Sequence, residues 1–401
     1  MTDLGPTNPI KRSVDDVASR RLAGPLPFDP LLLLAALGLI AFSLFTLAHA
    51  TRNDVPGQPH YFLYRQLVYA IVGLALMVAL SRIDYTRLRE LKYGLYAGMI
   101  GLILLVVAIG STTRGSRRSF SLPFFSFQPS ELGKLLLIVA LAAFVVDRVR
   151  RLGDRQTTAR VMLLALVPAM LVMLQPDLGT GLVYIVIALA TLFIAGATWR
   201  HFATLAAIAA VGIVFTLVAA PAAGIQVLKP YQADRLTAFL NPTDNPASQG
   251  YQQNQSKIAI GSGQKTGRGY AQATQTGLNF LPEHHTDFIF AVVGETYGFL
   301  GSAIVLSLYA LLLWRALRIL SLSKNLYGAL IAGGIVAMLM FQVFVNVGMT
   351  VGIAPITGVP LPLMSYGGSS VIVTLLAVGL LQSIYVQARV SAAYKGRVLT
   401  F

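Results

Sequence analysis

A small set of ionisable residues stands beside the long apolar stretches of this 401-residue chain, and their types and spacing suit acid–base chemistry. Glu131 and Lys134 are three residues apart in QPSELGKLLLIV, so on a helix they share one face and can form an ion pair. Asp287 follows Glu283 in LPEHHTDF, where another apolar stretch begins. A carboxylate at such a position, beside a cation-rich segment, can act as a general base toward an anionic substrate.

Each of these residues also has a purely structural explanation. Glu131 and Lys134 could simply neutralise one another at a polar helix mouth. Asp177 follows a proline that ends one helix, and it is placed to cap the next helix. Asp287 could likewise be a cap, although Thr286 before it already offers a capping oxygen. The sequence leaves the structural and the chemical explanation open for each residue.

Two adjacent histidines, His284 and His285, come nearest to a metal-binding pattern. On a helix their side chains would point about 100° apart, which is poor geometry for a single metal ion. We therefore expect no histidine metal site, and the ligands of any metal are unknown. The Gly-rich stretch 261–269 could bind phosphate through backbone N–H groups. It lacks the residue order of a nucleotide-binding loop, so nucleotide binding is not predicted.

The composition indicates that membrane-spanning helices must position these residues. Of the 401 residues 55% are hydrophobic and 12% are charged, with a mean hydropathy of +0.68, too few charges to cover a soluble globule. A spanning helix takes roughly 20 apolar residues, which excludes a large separate soluble domain. The absence of cysteine excludes disulfides, thiolate metal sites and cysteine nucleophiles. We predict an all-α polytopic membrane protein with about ten spans, at 30–50, 63–81, 91–110, 129–147, 160–175, 178–198, 202–222, 286–314, 326–350 and 366–388.

The distribution of Lys and Arg predicts the orientation. If the basic segment 1–29, which has no signal-peptide pattern, is cytoplasmic, then 20 of the 31 Lys and Arg residues are cytoplasmic, against 11 in the opposite orientation. The positive-inside rule therefore predicts cytoplasmic tails at 1–29 and 391–401 around one transmembrane domain at 30–390. The net charge of +15 is explained without nucleic acid as a partner. A long outer segment, about 223–284, is expected to be functional or to carry short surface helices.

Several cations run against this bias and fall on the outer side beside a span, among them Arg65 and Arg118. Such cations usually face an anionic partner. The Gly- and Pro-rich stretch 352–370 predicts non-helical backbone, which survives at membrane depth only where it lines a cavity walled by protein. We therefore expect an outward-facing cavity that receives an anionic substrate.

Seven motifs occur in order along the chain: YRQL at 64–67, RGSRRSF at 114–120, QPSELGKL at 128–135, QPDLGTG at 175–181, GYQQNQSKIAIGSG at 250–263, LPEHHTDFIFAVVGE at 281–295 and NVGMTVGIAPITGVPLPLMSYGGSS at 346–370. Together they resemble the SEDS family (shape, elongation, division and sporulation) of polytopic peptidoglycan glycosyltransferases, over nearly the whole chain from the first span. The segments LKPYQADRLTAFLNPTDNP and LNFLPEHHTDF are more similar to the elongation branch, RodA, than to the division branch, FtsW.

The resemblance implies a lipid II polymerase for cell elongation and rod shape, which works at the outer face of the bacterial cytoplasmic membrane and releases undecaprenyl pyrophosphate. Asp287 matches the family's catalytic aspartate, expected to be the general base toward the acceptor sugar hydroxyl. Glu131 and Lys134 match a functional pair that would orient the site or meet the pyrophosphate charge. Arg65 and Arg118 match arginines expected to contact pyrophosphate or sugar.

The resemblance also implies further substrate-binding residues, a cofactor and partners. Asp177, Lys257, Glu283 and Thr286 match motif positions expected near the cavity. A divalent cation, Mg or Mn, could help neutralise the leaving group, although the sequence names no ligand set. The implied partners are lipid II, the nascent glycan strand, membrane lipid and a class B penicillin-binding protein, which is the transpeptidase.

The chain departs from the family pattern at three positions. Gln264 replaces the second glycine after GS, Ala273 replaces the glycine of GTQ, and Thr296 replaces a second acid. None of these changes touches Asp287, so we expect activity to be retained.

Other functions stay open. A lipid II flippase or other transporter would need its charges near the bilayer midplane. A non-catalytic scaffold for the penicillin-binding protein would not need the Asp287 carboxylate. Within the family, a division-specific role is the alternative to elongation.

Overall fold

The computed structural model describes residues 28–398, apart from 53, 114–115, 122–124, 225–231, 233–234, 236–238, 240–248 and 279. The predicted tail at 1–29 lies outside the described residues except for its last two, and so does the chain end at 399–401. The helices in the described part are α1 (Pro30–Ala50), α2 (Tyr61–Ser81), α3 (Lys92–Ile109), α4 (Pro129–Val146), α5 (Arg155–Leu174), α6 (Leu178–Ile194), α7 (Trp199–Ala222), α8 (Gln249–Gly263), α9 (Thr274–Gly277), α10 (Ile289–Leu322), α11 (Leu326–Val351) and α12 (Gly368–Val398).

Each of the ten predicted spans coincides with one apolar helix, α1 to α7 or α10 to α12. Nine of these described helices are long and apolar enough to cross a membrane, and α6, with 17 residues, is a shorter apolar helix. The prediction of an all-α polytopic membrane protein is therefore confirmed. The last helix, α12, continues to Val398, past the predicted end of the transmembrane domain at residue 390.

Side-chain caps and glycine set several helix ends. Asp29 Oδ1 accepts the N–H of Leu32 at 3.0 Å and begins α1, and Asn325 Oδ1 accepts the N–H of Gly328 at 2.9 Å and begins α11. These contacts satisfy N–H groups that have no partner within a first helical turn. Gly352 ends α11 with φ of 87°, a left-handed conformation that costs glycine little.

The buried centre of the bundle is formed by α4, α11 and α12, in which most residues are inaccessible. Around them, α12 packs along α2, α10 packs against α1, α8 and α11, and α6 packs against α5 and α11. Helix α7 is different, because none of the residues in its most apolar window is buried. Its apolar side chains therefore lie on the outer surface of the described bundle.

Helix α10 is interrupted at Gly298, whose φ of 64° is left-handed. The loop 263–269 fills the break: the N–H of Arg268 donates to a carbonyl of α10 at 2.9 Å, and the N–H of Phe299 donates to a carbonyl of the loop at 2.8 Å. Backbone groups that the break leaves without helical partners are satisfied in this way. A Cβ at residue 298 would lie 2.4 Å from a backbone nitrogen of the loop, so only glycine fits there.

The stretch between α11 and α12 is non-helical, as the sequence predicts, and many of its residues are buried. Its carbonyls are satisfied by side chains from the helices around it. Asn346 Nδ2 donates to the Val359 carbonyl at 2.8 Å, and Gln66 Nε2 donates to the Ser365 carbonyl at 3.1 Å. Buried non-helical backbone is stable within a membrane domain only when its polar groups have hydrogen-bond partners of this kind.

Three short strands that the sequence analysis did not predict lie between α3 and α4. They are β1 (Ser111–Thr113), β2 (Ser116–Ser121) and β3 (Ser126–Phe127), and they pair antiparallel in the order β1-β2-β3. Phe120 of β2 lies opposite Phe127 of β3. The sheet is a minor addition to the helical fold, but it carries part of the motif at 114–120.

The long segment between α7 and α10 carries the short helices that were expected as one explanation of its length. Of these, α8 packs against α10 and α11. The Ser256 hydroxyl on α8 donates to the Thr350 carbonyl of α11 at 2.8 Å. The segment is therefore attached to the helical bundle at α8.

Candidate active site

Asp287 lies in the turn that precedes α10 and is partly buried. Helix α10 begins at Ile289 after Phe288, and no side chain caps it. The explanation of Asp287 as a helix cap, and of Thr286 as the alternative cap, is therefore wrong. The Asp287 carboxylate accepts no hydrogen bond from the N-terminal N–H groups of α10, so helix capping does not explain why an aspartate is present here.

The backbone and the surroundings of Asp287 are held by α11 and by the stretch after it. Asn346 Nδ2 on α11 donates to the Asp287 carbonyl at 2.9 Å. On the other side, a Cβ at Gly358 would lie 3.6 Å from Asp287 Oδ2, so this glycine backbone adjoins the carboxylate. Gly358 has φ of 74°, a conformation that other residues rarely adopt.

Four charged side chains act on the Asp287 carboxylate. Burial raises the pKa of the Asp287 carboxyl to about 6, and the charge of Glu283 raises it as well, whereas Arg118 and Arg235 lower this pKa and Asp177 raises it. We call these five residues the Asp287 cluster. A carboxylate with a pKa near neutrality, set between acids and arginines, is suited to accept a proton from a bound substrate.

The two arginines of the cluster come from different elements. Arg118 lies half-buried on β2, and Arg235 lies half-buried in the segment between α7 and α8. Arg235 Nη1 donates to the Thr357 carbonyl at 3.2 Å, next to Gly358. Guanidinium groups that converge on one carboxylate from separate elements form a site that can bind phosphate oxygens.

Asp177 caps α6, as the sequence predicts, and also faces the cluster. Its Oδ1 accepts the N–H of Thr180 at 3.1 Å, while its Oδ2 accepts a hydrogen bond from Gln128 Nε2, also at 3.1 Å. Gln128 precedes α4, so Asp177 joins the starts of α4 and α6. The capping prediction is confirmed, and capping uses one of the two carboxylate oxygens.

Glu131 and Lys134 form the predicted ion pair in the first turns of α4. Lys134 Nζ lies 2.6 Å from Glu131 Oε1, and the two residues are 2% and 3% exposed. The pair is next to the Asp177 contact, because the Tyr184 hydroxyl of α6 donates to the Ser130 carbonyl at 2.9 Å. Both Glu131 and Asp177 act electrostatically on that tyrosine.

Glu283 and Thr286 belong to the same turn as Asp287. Thr286 Oγ1 donates to Glu283 Oε2 at 3.0 Å, and the Thr286 carbonyl accepts a hydrogen bond from Ser365 Oγ at 2.6 Å. Glu283 has φ of 57°, which is unusual for a residue with a side chain. These contacts hold the turn to the non-helical stretch before α12.

Two predicted substrate-binding cations lie outside the Asp287 cluster. Arg65 on α2 has its guanidinium carbon 4.4 Å from the Tyr61 ring centre and interacts with the Tyr366 hydroxyl. Lys257 is exposed on α8 beside Gly352, and no contact in the described part of the chain joins it to Asp287. The roles of Arg65 and Lys257 stay predictions.

The expected geometry of the two histidines is wrong. His284 and His285 lie in a turn rather than in a helix, so the 100° separation does not apply. Their ring centres are 5.2 Å apart, and both rings face Asp54 in the connection between α1 and α2. This group could not be predicted from the sequence, because Asp54 is far away along the chain.

Further residues that shape the Asp287 site were not among the site residues predicted from the sequence. Arg235, Asn346 and Gln128 contact it through the folded chain, and none carries a spacing pattern that predicts this. Gly358 had a detectable signal, since glycines amid prolines in a buried stretch often mark close backbone approach. Its neighbour could not be identified from the sequence.

Known proteins are similar to this chain along nearly its whole length. Residues 26–390 match the family model FtsW, RodA, SpoVE, described as cell cycle protein. Peptidoglycan glycosyltransferase MrdB of Escherichia coli strain K12 is 37% identical over 359 residues, which are 89% of this chain and 93% of MrdB. A probable peptidoglycan glycosyltransferase FtsW of Thioalkalivibrio sulfidiphilus is 39% identical, over 88% of this chain and 87% of the relative.

A solved structure agrees with the sequence relatives. It is a chain from a peptidoglycan synthase complex that was described for the structural coordination of polymerization and crosslinking. It superimposes with a TM-score of 0.76 at 32% identity, over 91% of this chain and 99% of that chain.

Proposed function

The chain belongs to the FtsW, RodA and SpoVE family, the SEDS family, and is a peptidoglycan glycosyltransferase; we propose that it polymerises lipid II with Asp287 as the general base. The observation that carries this proposal is the Asp287 cluster. Its carboxylate does not cap α10, and it is acted on by two arginines from separate elements. A base beside a phosphate-binding group is what this reaction requires.

The proposed step is a single displacement. The Asp287 carboxylate accepts the proton of the acceptor sugar 4-hydroxyl, and the oxygen forms a bond to the anomeric carbon of the lipid-linked donor. The bond from that carbon to the pyrophosphate breaks, and undecaprenyl pyrophosphate leaves with the electron pair. The configuration inverts and a β-1,4 bond results, so a second carboxylate nucleophile is not required.

The arginines and the Glu131 and Lys134 pair supply positive charge to the leaving group in this proposal. Arg118 and Arg235 adjoin the base, and their forked N–H groups match phosphate oxygens. One N–H of the Lys134 ammonium is directed at Glu131, which leaves two further donors. Arg65, Asp177, Lys257, Glu283 and Thr286 are proposed to position the sugars or the pyrophosphate.

A divalent cation fits the chemistry of the Asp287 cluster. Mg²⁺ typically uses one or two carboxylates together with substrate phosphates, and in the cluster the charges of Glu283 and Asp177 both act on the Asp287 carboxylate. Glu283 would hold the ion together with the substrate phosphates, which leaves the Asp287 carboxylate to act as the base. When bound, it would neutralise charge on the departing pyrophosphate.

The proposed setting follows from the charge distribution and the relatives. We place both termini in the cytoplasm and the Asp287 cluster at the outer face of the bacterial cytoplasmic membrane, since this orientation agrees with the positive-inside rule. A class B penicillin-binding protein is the proposed transpeptidase partner, as a structural neighbour belongs to a peptidoglycan synthase complex. Relatives of both branches are similar to the chain, so the elongation role rests on the motif resemblance.

The transporter and scaffold alternatives are less well supported. Asp287 precedes α10, Asp177 caps α6 and Glu131 lies in the first turn of α4, so all three acids lie at helix ends. A carrier would hold its charges near the middle of its spans. A scaffold would have no need of a base held beside two arginines.

Polymerisation of labelled lipid II tests the proposal. The full chain is purified in detergent with a transpeptidase-inactive class B penicillin-binding protein, and wild type, Asp287→Asn and Asp147→Asn are compared. Asp147 is the matched control, because it pairs with Arg89 and Lys92 at the opposite end of α4. We expect long glycan strands from wild type and Asp147→Asn, and a loss on the order of 10²- to 10⁴-fold in Asp287→Asn.

Two outcomes would contradict the proposal. Equal activity of wild type and a folded Asp287→Asn variant would place the base elsewhere. No activity from wild type with either Mg²⁺ or Mn²⁺ would favour the transporter or the scaffold.

A further inference from the structure

Asp54, His284 and His285 converge on one point outside the Asp287 cluster. Asp54 Oδ2 lies 3.1 Å from His284 Nε2 and 3.8 Å from His285 Nδ1. One ligand atom from each of the three residues lies within 4.8 Å of the others, and this is the sole such group of three in the described part of the chain. The side chains are 11%, 6% and 18% exposed, so the point is largely shielded from water.

Hydrogen bonding fixes which nitrogen of His284 faces the aspartate. Its Nδ1 lies 3.2 Å from the Leu281 carbonyl, which can only accept, so Nδ1 carries the proton. In a neutral ring Nε2 then presents a lone pair toward Asp54 Oδ2. This arrangement, a backbone carbonyl behind a histidine, is the usual support of a metal-ligating imidazole.

The contact between His284 and Asp54 is not a hydrogen bond. Although the two atoms are 3.1 Å apart, Asp54 Oδ2 and His284 Nε2 are both buried without a hydrogen-bond partner, as expected when the ring proton is on Nδ1 and Nε2 has no hydrogen to donate. Two facing lone pairs repel each other unless a cation lies between them. A cation at this point would satisfy both atoms.

The spacing suits a transition-metal ion. Zinc binds histidine nitrogen and carboxylate oxygen at about 2.0 to 2.2 Å, which puts tetrahedral ligands roughly 3.3 Å apart. The separations of 3.1 and 3.8 Å from Asp54 Oδ2 to the two histidine nitrogens lie on either side of that value. Two imidazoles and one carboxylate are ligands that favour zinc over the oxygen-preferring Mg²⁺.

The structure also offers a route to the site and a rigid frame for it. Asp54 lines an open cavity of about 310 Å³, with His49 and Arg52 among its neighbours, through which an ion can enter. The His285 ring is held by Phe62, with ring centres 4.5 Å apart, and by Tyr366, at 5.8 Å.

From this geometry we propose that Asp54, His284 and His285 form a binding site for a divalent transition metal of the zinc type. The metal links the connection between α1 and α2 to the turn that carries Asp287. It would restrict the motion of that turn without touching the reacting atoms. The proposal does not depend on the polymerase reaction, because metal binding is measured without substrate.

Metal titration of the full chain, purified in detergent without a histidine tag and treated with a chelator, tests the site. Zn²⁺ is titrated by calorimetry, and Co²⁺ is titrated by its visible absorption. We expect one tight equivalent in wild type and at least tenfold weaker binding in Asp54→Asn and His284→Gln. His49→Gln is the matched control, since His49 lines the same cavity but stacks on Tyr270 instead.

Thermal unfolding of each variant with and without Zn²⁺ separates a lost site from a lost fold. A variant that unfolds at the wild-type temperature in chelator, yet gains nothing from Zn²⁺, has lost the site alone. The proposal is overturned if wild type shows no saturable binding, which would leave a protonated His284 paired with Asp54. It is also overturned if His49→Gln weakens binding as much as Asp54→Asn does.

Discussion

Two buried ion pairs lie at opposite ends of the bundle, and they differ in how fully their hydrogen-bonding groups are used. Glu131 and Lys134 open α4 beside the Asp287 cluster, whereas Asp29 and Arg315 join the start of α1 to the far part of α10. Arg315 is about seven turns along α10 from its beginning. Both pairs have almost no exposure to solvent.

The Asp29 carboxylate is saturated, and we call its ion pair with Arg315 the saturated pair. Arg315 binds both carboxylate oxygens of Asp29 through Nε and Nη2, and Asp29 Oδ1 also caps α1 at the N–H of Leu32. Gln382 accepts from the Asp29 N–H at 2.8 Å and donates to the Asp29 carbonyl at 3.1 Å. Every group of Asp29 therefore serves to hold α1, α10 and α12 together.

The Glu131 pair is not saturated. Within the described residues, the side chains of Glu131 and Lys134 form a hydrogen bond with each other and with no other group. Two N–H donors of Lys134 and one carboxylate oxygen of Glu131 take no part in this bond. The difference teaches that the Asp29 carboxylate is completed by the protein, whereas the Glu131 and Lys134 pair has an acceptor and donors with which to bind a ligand.

The largest effect is expected from removing one member of the saturated pair. Arg315→Met leaves the Asp29 charge buried without its partner, so we expect the free energy of unfolding to fall by about 3–5 kcal/mol. Thermal unfolding in detergent and the monodisperse fraction measure this loss. Activity per folded molecule should stay near wild type, and a stable but inactive variant would break the comparison.

Neutralising the Glu131 and Lys134 pair should have the opposite effect, with little change in stability and a large loss of activity. In the double variant Glu131→Gln and Lys134→Met no unpaired charge is left, so stability should change by about 1 kcal/mol or less. Lipid II polymerisation should fall on the order of 10²- to 10³-fold, as for other losses of a donor to developing charge.

A charge-exchanged pair sharpens this result. Glu131→Lys with Lys134→Glu restores an ion pair on the same helix face. If it restored activity, the pair would be structural after all, and the distinction between the two ends would fail.

Gln382→Leu should weaken the saturated end by a smaller amount. The substitution leaves the Asp29 backbone N–H without its partner, and we expect a loss of about 1–3 kcal/mol in stability. Gln387→Leu is a suitable control, since this glutamine lies on the same helix and contacts the exposed Lys324 side chain. Equal losses in both variants would show that the effect is not specific to Asp29.

The smallest effect is expected at Gln128. Gln128→Leu removes one hydrogen bond to Asp177 but leaves Asp177 Oδ1 on the N–H of Thr180, so α6 stays capped. One such bond is worth about 1 kcal/mol, which corresponds to roughly fivefold lower activity with little change in unfolding temperature. If Gln128→Leu lowered stability as much as Gln382→Leu does, the role of Gln128 would instead be to stabilise the fold.

Much of the fold could be predicted from the sequence because the membrane simplifies the problem. Each span needs a long apolar stretch, so the ten helices follow from hydropathy, and the Asp177 cap follows from the proline before it. The strands at 111–127 could not be predicted, because serine and arginine in β2 carry no strand preference. They form through pairing between segments rather than through local preference.

The site was predictable where its residues begin helices and unpredictable where distant segments meet. Glu131 and Lys134 are linked by helical spacing, which the sequence displays. Arg235 reaches Asp287 only through the folded segment between α7 and α8, and Asp54 meets His284 across most of the chain. Such contacts are set by tertiary packing. They leave no local periodicity in the sequence from which they could be predicted.

The break in α10 at Gly298 has a consequence for biogenesis. The loop 263–269 leaves the ribosome before α10, yet its backbone partners exist only after residues 295–300 have been made and inserted. Insertion of α10 must therefore precede docking of a segment synthesised earlier, and until then the broken turn exposes polar backbone within the bilayer. Docking of this loop is therefore a local closure that follows the insertion of α10, against the order of synthesis.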